Sequence, residues 1–412
     1  MSERLSAGSL GPISLAHLCT DLSQGALPAL LPFLIIQRGL GLPAAAALIT
    51  AGTIGSSIIQ PVFGVWSDRL SRPALMPLGV ALAAIGIGTV GLVHSYALML
   101  AAVGVMGIGV AAFHPEAARV ANRVSGNRRG RGMSYFAVGG NLGYAIGPLI
   151  TIPIVLGLGL DGTPLITVPG LIAAAILFRR LPVITAQLEP PANAAPATGE
   201  GQRSQWAPFW RLVTAVVLRT VPFFTLQALV PIYFVRHFKA STALGGLALT
   251  LMLLGGAAGT LVGGRCADRF GRKSVMVAAM APLTLLLLGL RYAGLAEFVV
   301  LLTLVGFVLE GPFSTSVLIG QEFLPARVGL ASGITYGLDM GLGGLGASGM
   351  GALAGSAGIR FAISLLPAFT ALSLLLAISL PAGGATTARL AGGAAGRRWR
   401  RFTPPRARED LG

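Results

Sequence analysis

The chain has 412 residues, 54% of them hydrophobic and only 11% charged, with 58 glycines and a mean hydropathy of +0.78. A soluble domain carries roughly 25% charged residues, so charge this sparse cannot cover a 42.0 kDa globule with water-compatible groups, and a soluble enzyme is excluded. Apolar runs of about 20 residues without two-residue alternation exclude a transmembrane β-barrel as well.

At about 20 apolar residues per crossing, twelve spans are predicted, near 10–36, 44–66, 74–93, 96–122, 132–156, 163–181, 208–235, 243–264, 274–292, 295–322, 328–354 and 359–381. The first is longer than a signal-peptide core, is interrupted by Asp21 and lacks a cleavage site, so it reads as a retained span. The expected fold is all-α and membrane-integral, with an N-terminal six-helix bundle over 1–181 and a C-terminal one over 208–381. Between them 182–207, rich in Pro and Ala, reads as a cytoplasmic linker, and the Gly, Ala and Arg tail 382–412 as disordered.

The net charge of +16 takes its meaning from its location. Loops after even-numbered spans and the two tails hold most of the arginines, among them Arg4, Arg69, Arg72, Arg123, Arg128, Arg129, Arg131 and Arg327, whereas the opposite loops hold only Arg38, Arg236, Lys239, Arg291 and Arg360. By the positive-inside rule the rich side, with both termini, is cytoplasmic. Orientation and anionic lipid account for the basic excess, so no nucleic-acid partner is expected. Cys19 lies inside the first span and Cys266 in a basic loop, which is no disulfide framework.

At a constant offset of 200, Val62, Gly64, Asp68, Arg69 and Arg72 match Val262, Gly264, Asp268, Arg269 and Arg272, five identities in eleven positions. Both copies fall at the cytoplasmic end of the second span of a six-helix unit, and duplicated halves mark secondary transporters. The second copy, from Gly264 through Asp268, Arg269, Gly271, Arg272 and Lys273, is similar to the G-x-x-x-D-R-x-G-R-K loop signature of the major facilitator superfamily; the first departs from it at Ser71 and Pro73. The resemblance implies that these residues latch the cytoplasmic helix ends, and a carboxylate with a guanidinium is a suitable breakable pair. The plainer reading makes them orientation anchors.

A closer resemblance lies in Ile13 to Asp21 with Leu27 to Pro32, in Phe113-His114-Pro115-Glu116-Ala117, in Gly139-Gly140-Asn141-Leu142-Gly143, in Gln321 to Pro325 and in Gly341 to Gly346. These look like the fosmidomycin-resistance branch of that superfamily. What the resemblance implies is a proton-coupled exporter of the bacterial inner membrane, with a phosphonate antibiotic as type substrate. A monomer without a cofactor is expected.

Apart from any resemblance, ionisable residues at membrane depth are functional candidates because each is costly unless paired or hydrated. His17, Asp21 and Gln24 recur on one face of the first span, and Glu116 and Arg119 follow His114 on the fourth. Asp21 or Glu116, or the two as a coupled pair, is expected to take the driving proton, with His17 and Arg119 assisting; alternatively Glu116 and Arg119 are a buried structural pair. A metal held by His17, Asp21, His114 and Glu116 is a weak reading, because the ligands sit on two helices without tight spacing. Arg219, on the seventh span, matches Asp21 in depth and needs an anion, either Asp21 or an acidic substrate. Gln24, His114, Asn141, Glu310 and Asp339 are expected to line the substrate path with it. An uptake symporter for an organic anion uses the same parts, and a membrane sensor or scaffold is the third class.

Overall fold

The computed structural model describes residues 7–70, 73–188 and 204–381. Arg72, most of the expected linker (189–203) and the tail 382–412 lie outside the described residues. The described chain forms α1 (Ala7–Arg38), α2 (Leu42–Ser57), α3 (Gln60–Leu70), α4 (Leu75–Thr89), α5 (Tyr96–Val124), α6 (Arg129–Leu158) and α7 (Thr167–Leu188). The second half repeats the plan with α8 (Trp206–Arg236), α9 (Thr242–Phe270), α10 (Arg272–Leu290), α11 (Leu295–Glu310), α12 (Phe313–Phe323), α13 (Val328–Ala357) and α14 (Ile359–Ser379).

These helices make twelve crossings, because two spans are each built from two pieces. The second span breaks before Gln60-Pro61 and the tenth at Gly311-Pro312, where proline has no N–H to continue the ladder but suits the start of a new helix. Proline does not end the sixth span. The sequence places that end at 181, yet α7 runs through Pro182 to Leu188; Ile184 is buried there, and Ser9 Oγ donates to Gln187 Oε1 at 2.9 Å. Packing against α1 thus carries the helix past the residue that reads as its stop.

Lipid tails give apolar helices no hydrophobic reason to associate, so close backbone packing supplies the contact energy. On α6, Gly139, Gly143 and Gly147 recur every four residues and lie against the backbone of Ser14, Leu18 and Gly25 on α1. In the second half Gly255, Gly259 and Gly263 of α9 meet Thr303, Phe307 and Gly311 by the same device. The two halves meet on the arginine-rich side, where α3 packs on α13 and α6 on α9. A single apolar core there joins Phe113 and Phe136 of the first half to Phe313, Val317 and Tyr336 of the second.

A Cβ on Gly143 would press into the main chain of Leu18, whose Cα would be 2.9 Å away, whereas one on Gly104 meets nothing within 4 Å. Gly143→Ala is therefore expected to destabilise the purified protein by about 1–3 kcal/mol, read as a fall in melting temperature. Gly104→Ala should leave the melting temperature unchanged or raise it slightly.

Candidate functional site

Two carboxylates tie the halves together, each at the start of a helix in the other half. Asp68, near the end of α3, accepts from the backbone N–H groups of Gly329 (2.6 Å) and Leu330 (2.9 Å), the first turn of α13. Asp268, near the end of α9, accepts from Gly130 (2.7 Å) and Arg131 (2.9 Å), the first turn of α6. The first turn of a helix has free N–H groups and the positive end of the dipole, so a carboxylate binds there strongly. Gly64 and Gly264 let the backbones approach: a Cβ on Gly64 would meet Gly329 O at 2.5 Å, and Gly264 abuts Gly130 and Ser134.

The sequence reading assigned these carboxylates guanidinium partners; the structure gives them helix-terminal amides instead. Arg69 is exposed, Arg269 lies over the Phe270 ring at 5.1 Å, and Arg272 pairs with Glu322 inside its own half. Lys273 donates to Ile378 O at 2.8 Å, joining α10 to α14. Gly271 ends α9 at φ +92°, a conformation in which a side chain would be strained.

Deeper in the first half, His17 and Asp21 lie one turn apart on α1 and meet His114 of α5. His17 Nε2 is 3.3 Å from Asp21 Oδ2, His114 Nε2 is 3.2 Å from Asp21 Oδ1, and the two Nε2 atoms are 3.1 Å apart. Both rings are held from behind, His17 Nδ1 by Phe136 O at 2.7 Å and His114 Nδ1 by Val110 O at 2.9 Å. Gln24 Nε2 donates to Asp21 Oδ1 at 3.2 Å. Gly140 makes the room, since a Cβ there would lie 2.5 Å from both Asp21 Oδ2 and His17 Nε2.

Glu116 does not join Asp21. It is fully buried in a pair with Arg119, whose Nε donates at 3.1 Å and whose NH2 donates to the other oxygen, while Ser67 of α3 adds a third donor. The four-residue metal set is likewise not assembled. His17, Asp21 and His114 have ligand atoms close enough to share one small cation, with Glu116 committed elsewhere.

Arg219 has partners other than Asp21. It is 1% exposed and sits between Glu310 (3.4 Å) and Asp339 (3.5 Å) in its own half, donating also to Leu309 O at 2.7 Å. Thr220 donates to Asp339, and Asn141 reaches across from α6 to hydrogen-bond Glu310. Arg219 Nε has no partner among the described residues. Two carboxylates thus face one guanidinium.

The expected substrate-path residues therefore divide. Asn141, Glu310 and Asp339 gather round Arg219, whereas Gln24 and His114 gather round Asp21. Sequence reasoning missed Ser67, Thr220 and Tyr336. Tyr336 lies three residues before Asp339 on α13, on the same helix face, and it is 2% exposed with its ring 5.5 Å from His114 and 5.6 Å from Phe313. That spacing was the signal available for it.

Twelve crossings in two matching halves, with charge clusters buried in each and one face clasped by both, define a multi-pass membrane transporter. A family model for the Major Facilitator Superfamily matches residues 13–235 and 212–407, and the chain belongs to that family. It is 32% identical over 388 residues to the Fosmidomycin resistance protein of Escherichia coli (strain K12), covering 92% of this chain and 94% of that one. It is also 32% identical over 384 residues to the uncharacterized MFS-type transporter YfnC of Bacillus subtilis (strain 168), covering 88% and 91%. Among solved structures the fold is shared with the transporter FucP in its outward conformation, at TM-score 0.71, 15% identity and coverage of 90% and 98%. A bacterial homologue of the iron transporter ferroportin in its outward-facing state gives TM-score 0.71, 16% identity and the same coverage.

Removing one partner of a buried ion pair leaves an uncompensated charge, at a cost of about 3–5 kcal/mol. Glu116→Met and Arg119→Met should each lower the melting temperature sharply. The double variant Glu116→Met/Arg119→Met should recover most of that loss, which a double-mutant cycle on purified protein reads directly.

Proposed function

We propose that the protein is a proton-coupled secondary transporter, not an enzyme, that exports a small organic solute bearing an acidic group, a phosphonate antibiotic being the type case. The observation that carries this reading is the separation of two kinds of buried chemistry. Asp21, flanked by two imidazoles, suits the exchange of a proton, and Arg219, in the other half, suits a phosphonate or carboxylate, which its fork can hold through two parallel bonds. The 32% identity to a protein named for fosmidomycin resistance supports export as the direction.

The halves rock as two bodies, Asp68 and Asp268 holding the arginine-rich face shut in one state and releasing it in the other. With that face cytoplasmic and the protein in a bacterial inner membrane, the clasped state has its cavity toward the outside. Glu116 and Arg119, tied to each other and to Ser67, support the helix that carries His114. A monomer contains every group this scheme needs.

The surroundings of Arg219 favour a second reading, uptake of an organic anion with protons. An anion entering beside Glu310 and Asp339 meets two negative charges, and a proton on either frees the guanidinium, so anion and proton load together. The direction of coupling separates the two readings.

Inside-out vesicles with an acidic lumen test it. Export by antiport requires accumulation of fosmidomycin in the lumen with a matching rise of luminal pH; accumulation with a fall of luminal pH, or no accumulation, rejects antiport. Asp21→Asn should abolish gradient-driven accumulation yet keep exchange of labelled for unlabelled substrate. Affinity for a phosphonate should fall from Arg219 to Lys to Gln, by about tenfold or more at the last step, the equivalent of one lost charge-assisted pair.

A further inference from the structure

The hydrogens of the His17, His114 and Asp21 cluster follow from its geometry. A main-chain carbonyl accepts and never donates, so His17 Nδ1 facing Phe136 O and His114 Nδ1 facing Val110 O each carry a hydrogen. A neutral imidazole has only one N–H. Both Nε2 atoms would then present bare lone pairs, and these point at one another across 3.1 Å and at an Asp21 oxygen across 3.3 and 3.2 Å. Three acceptors would converge with no hydrogen between them, in residues 2%, 1% and 4% exposed. Each of those contacts would be repulsive where water cannot relieve it.

One added proton removes most of the conflict. On either Nε2 it covers both contacts of that atom, to Asp21 and to the facing ring, leaves only the other Nε2 against an Asp21 oxygen, and can pass between rings without moving a heavy atom. A second would give each Asp21 oxygen its own donor but set two cationic rings 3.1 Å apart beside a single carboxylate. Placed on Asp21 instead, a single proton covers one contact and leaves two.

Among the described residues no other group donates a hydrogen to either Nε2. Gln24 gives its own to Asp21 Oδ1. On α5, Glu116 and Arg119 are consumed by each other and by Ser67. The sequences of α2 and α4 contain no ionisable residue, and α7 carries only Arg179 and Arg180, both exposed toward the arginine-rich end. From α6 comes the phenol of Tyr144, and from α13 the phenol of Tyr336 and Asp339, the last bound by Thr220 and Arg219.

Tyr336 belongs to the other half. Its ring lies against His114, eight residues along the helix whose first turn Asp68 clasps. At 1.5 Å per residue that is about 12 Å into the membrane from the arginine-rich face. A release of that clasp that carried α13 away would withdraw the ring and open a path from the cluster to that face.

We propose that His17, His114 and Asp21 form one proton-binding unit holding a single shared proton in the clasped state, and that Tyr336 is the gate between it and the arginine-rich side. The proposal rests on the proton-coupled reading above, but its first test does not need transport. In full-length protein purified with a chelator and labelled with 15N in its histidine rings, the exposed His94 and His237 are assigned by substitution to Gln. His17 and His114 should both show a protonated Nδ1, and their two Nε2 atoms together should account for one hydrogen. Asp21→Asn, which brings its own N–H donors, should leave both Nε2 atoms bare. Two bare Nε2 atoms in the native protein, two fully protonated ones, or a metal ion retained stoichiometrically would overturn the proposal.

The gate is tested in proteoliposomes without substrate. Tyr336→Ala should dissipate an imposed pH gradient several-fold faster than the native protein, and Tyr336→Phe, which keeps the ring, should not. Equal rates for all three would remove Tyr336 as the gate; if Tyr336→Ala does not insert, Tyr336→Leu serves. Should the hydrogen count hold while no substrate movement responds to a pH gradient, the coupled-transport reading fails and the proton unit stands.

Discussion

A carboxylate from each half bound to the first turn of a helix in the other is the interaction on which the remaining architecture depends. Asp68 holds α13 and Asp268 holds α6, so the two bonds are related by the same internal symmetry as the sequence repeat. Each carboxylate meets two N–H groups that have no partner within their own helix, which makes the contact strong when formed. Water can satisfy the same groups, so the net cost of parting them is small. That combination suits a protein with two conformations of nearly equal energy.

The clasp works at a distance because the helices it grips are rigid and carry the buried chemistry. The glycine contacts of α6 against α1 fix Phe136 O behind His17, so the Nδ1 hydrogen of that ring is set by packing. Along α13 the clasped first turn, Tyr336 and Asp339 follow in order, and the same helix touches both charge clusters. Buried charge in a bilayer persists only when compensated. Here each buried ion-pair cluster is paired within its own half, so neither half depends on a charge from the other.

Much of this was legible in the sequence. Apolar run lengths located twelve crossings, and the constant offset between Asp68 and Asp268 exposed the duplication before any contact was known. What composition could not reveal was partnership. A carboxylate's bond to a backbone N–H leaves no residue-type signature, so the arginines beside Asp68 and Asp268 attracted an assignment that belongs to Gly329, Leu330, Gly130 and Arg131. Depth alone pairs Arg219 with Asp21, although Glu310 and Asp339 are both visible as buried acids; helix rotation decides between them, and the apolar stripes of membrane helices define rotation poorly. Helix α7 continues past Pro182 because of packing against α1, which lies 178 residues away in sequence.

The clasp is tested most directly by a distance between spin labels at two exposed sites on the arginine-rich face, Asn127 before α6 and Phe270 at the end of α9, in a background with Cys19 and Cys266 replaced by serine. Two weakened carboxylate contacts, four hydrogen bonds in all, worth about 1–2 kcal/mol in sum change a two-state ratio by roughly five- to thirty-fold. The native carboxylates should therefore give a distribution dominated by the short distance, and Asp68→Asn/Asp268→Asn a large new population at longer distance. Superimposable distributions from the two proteins would contradict the account.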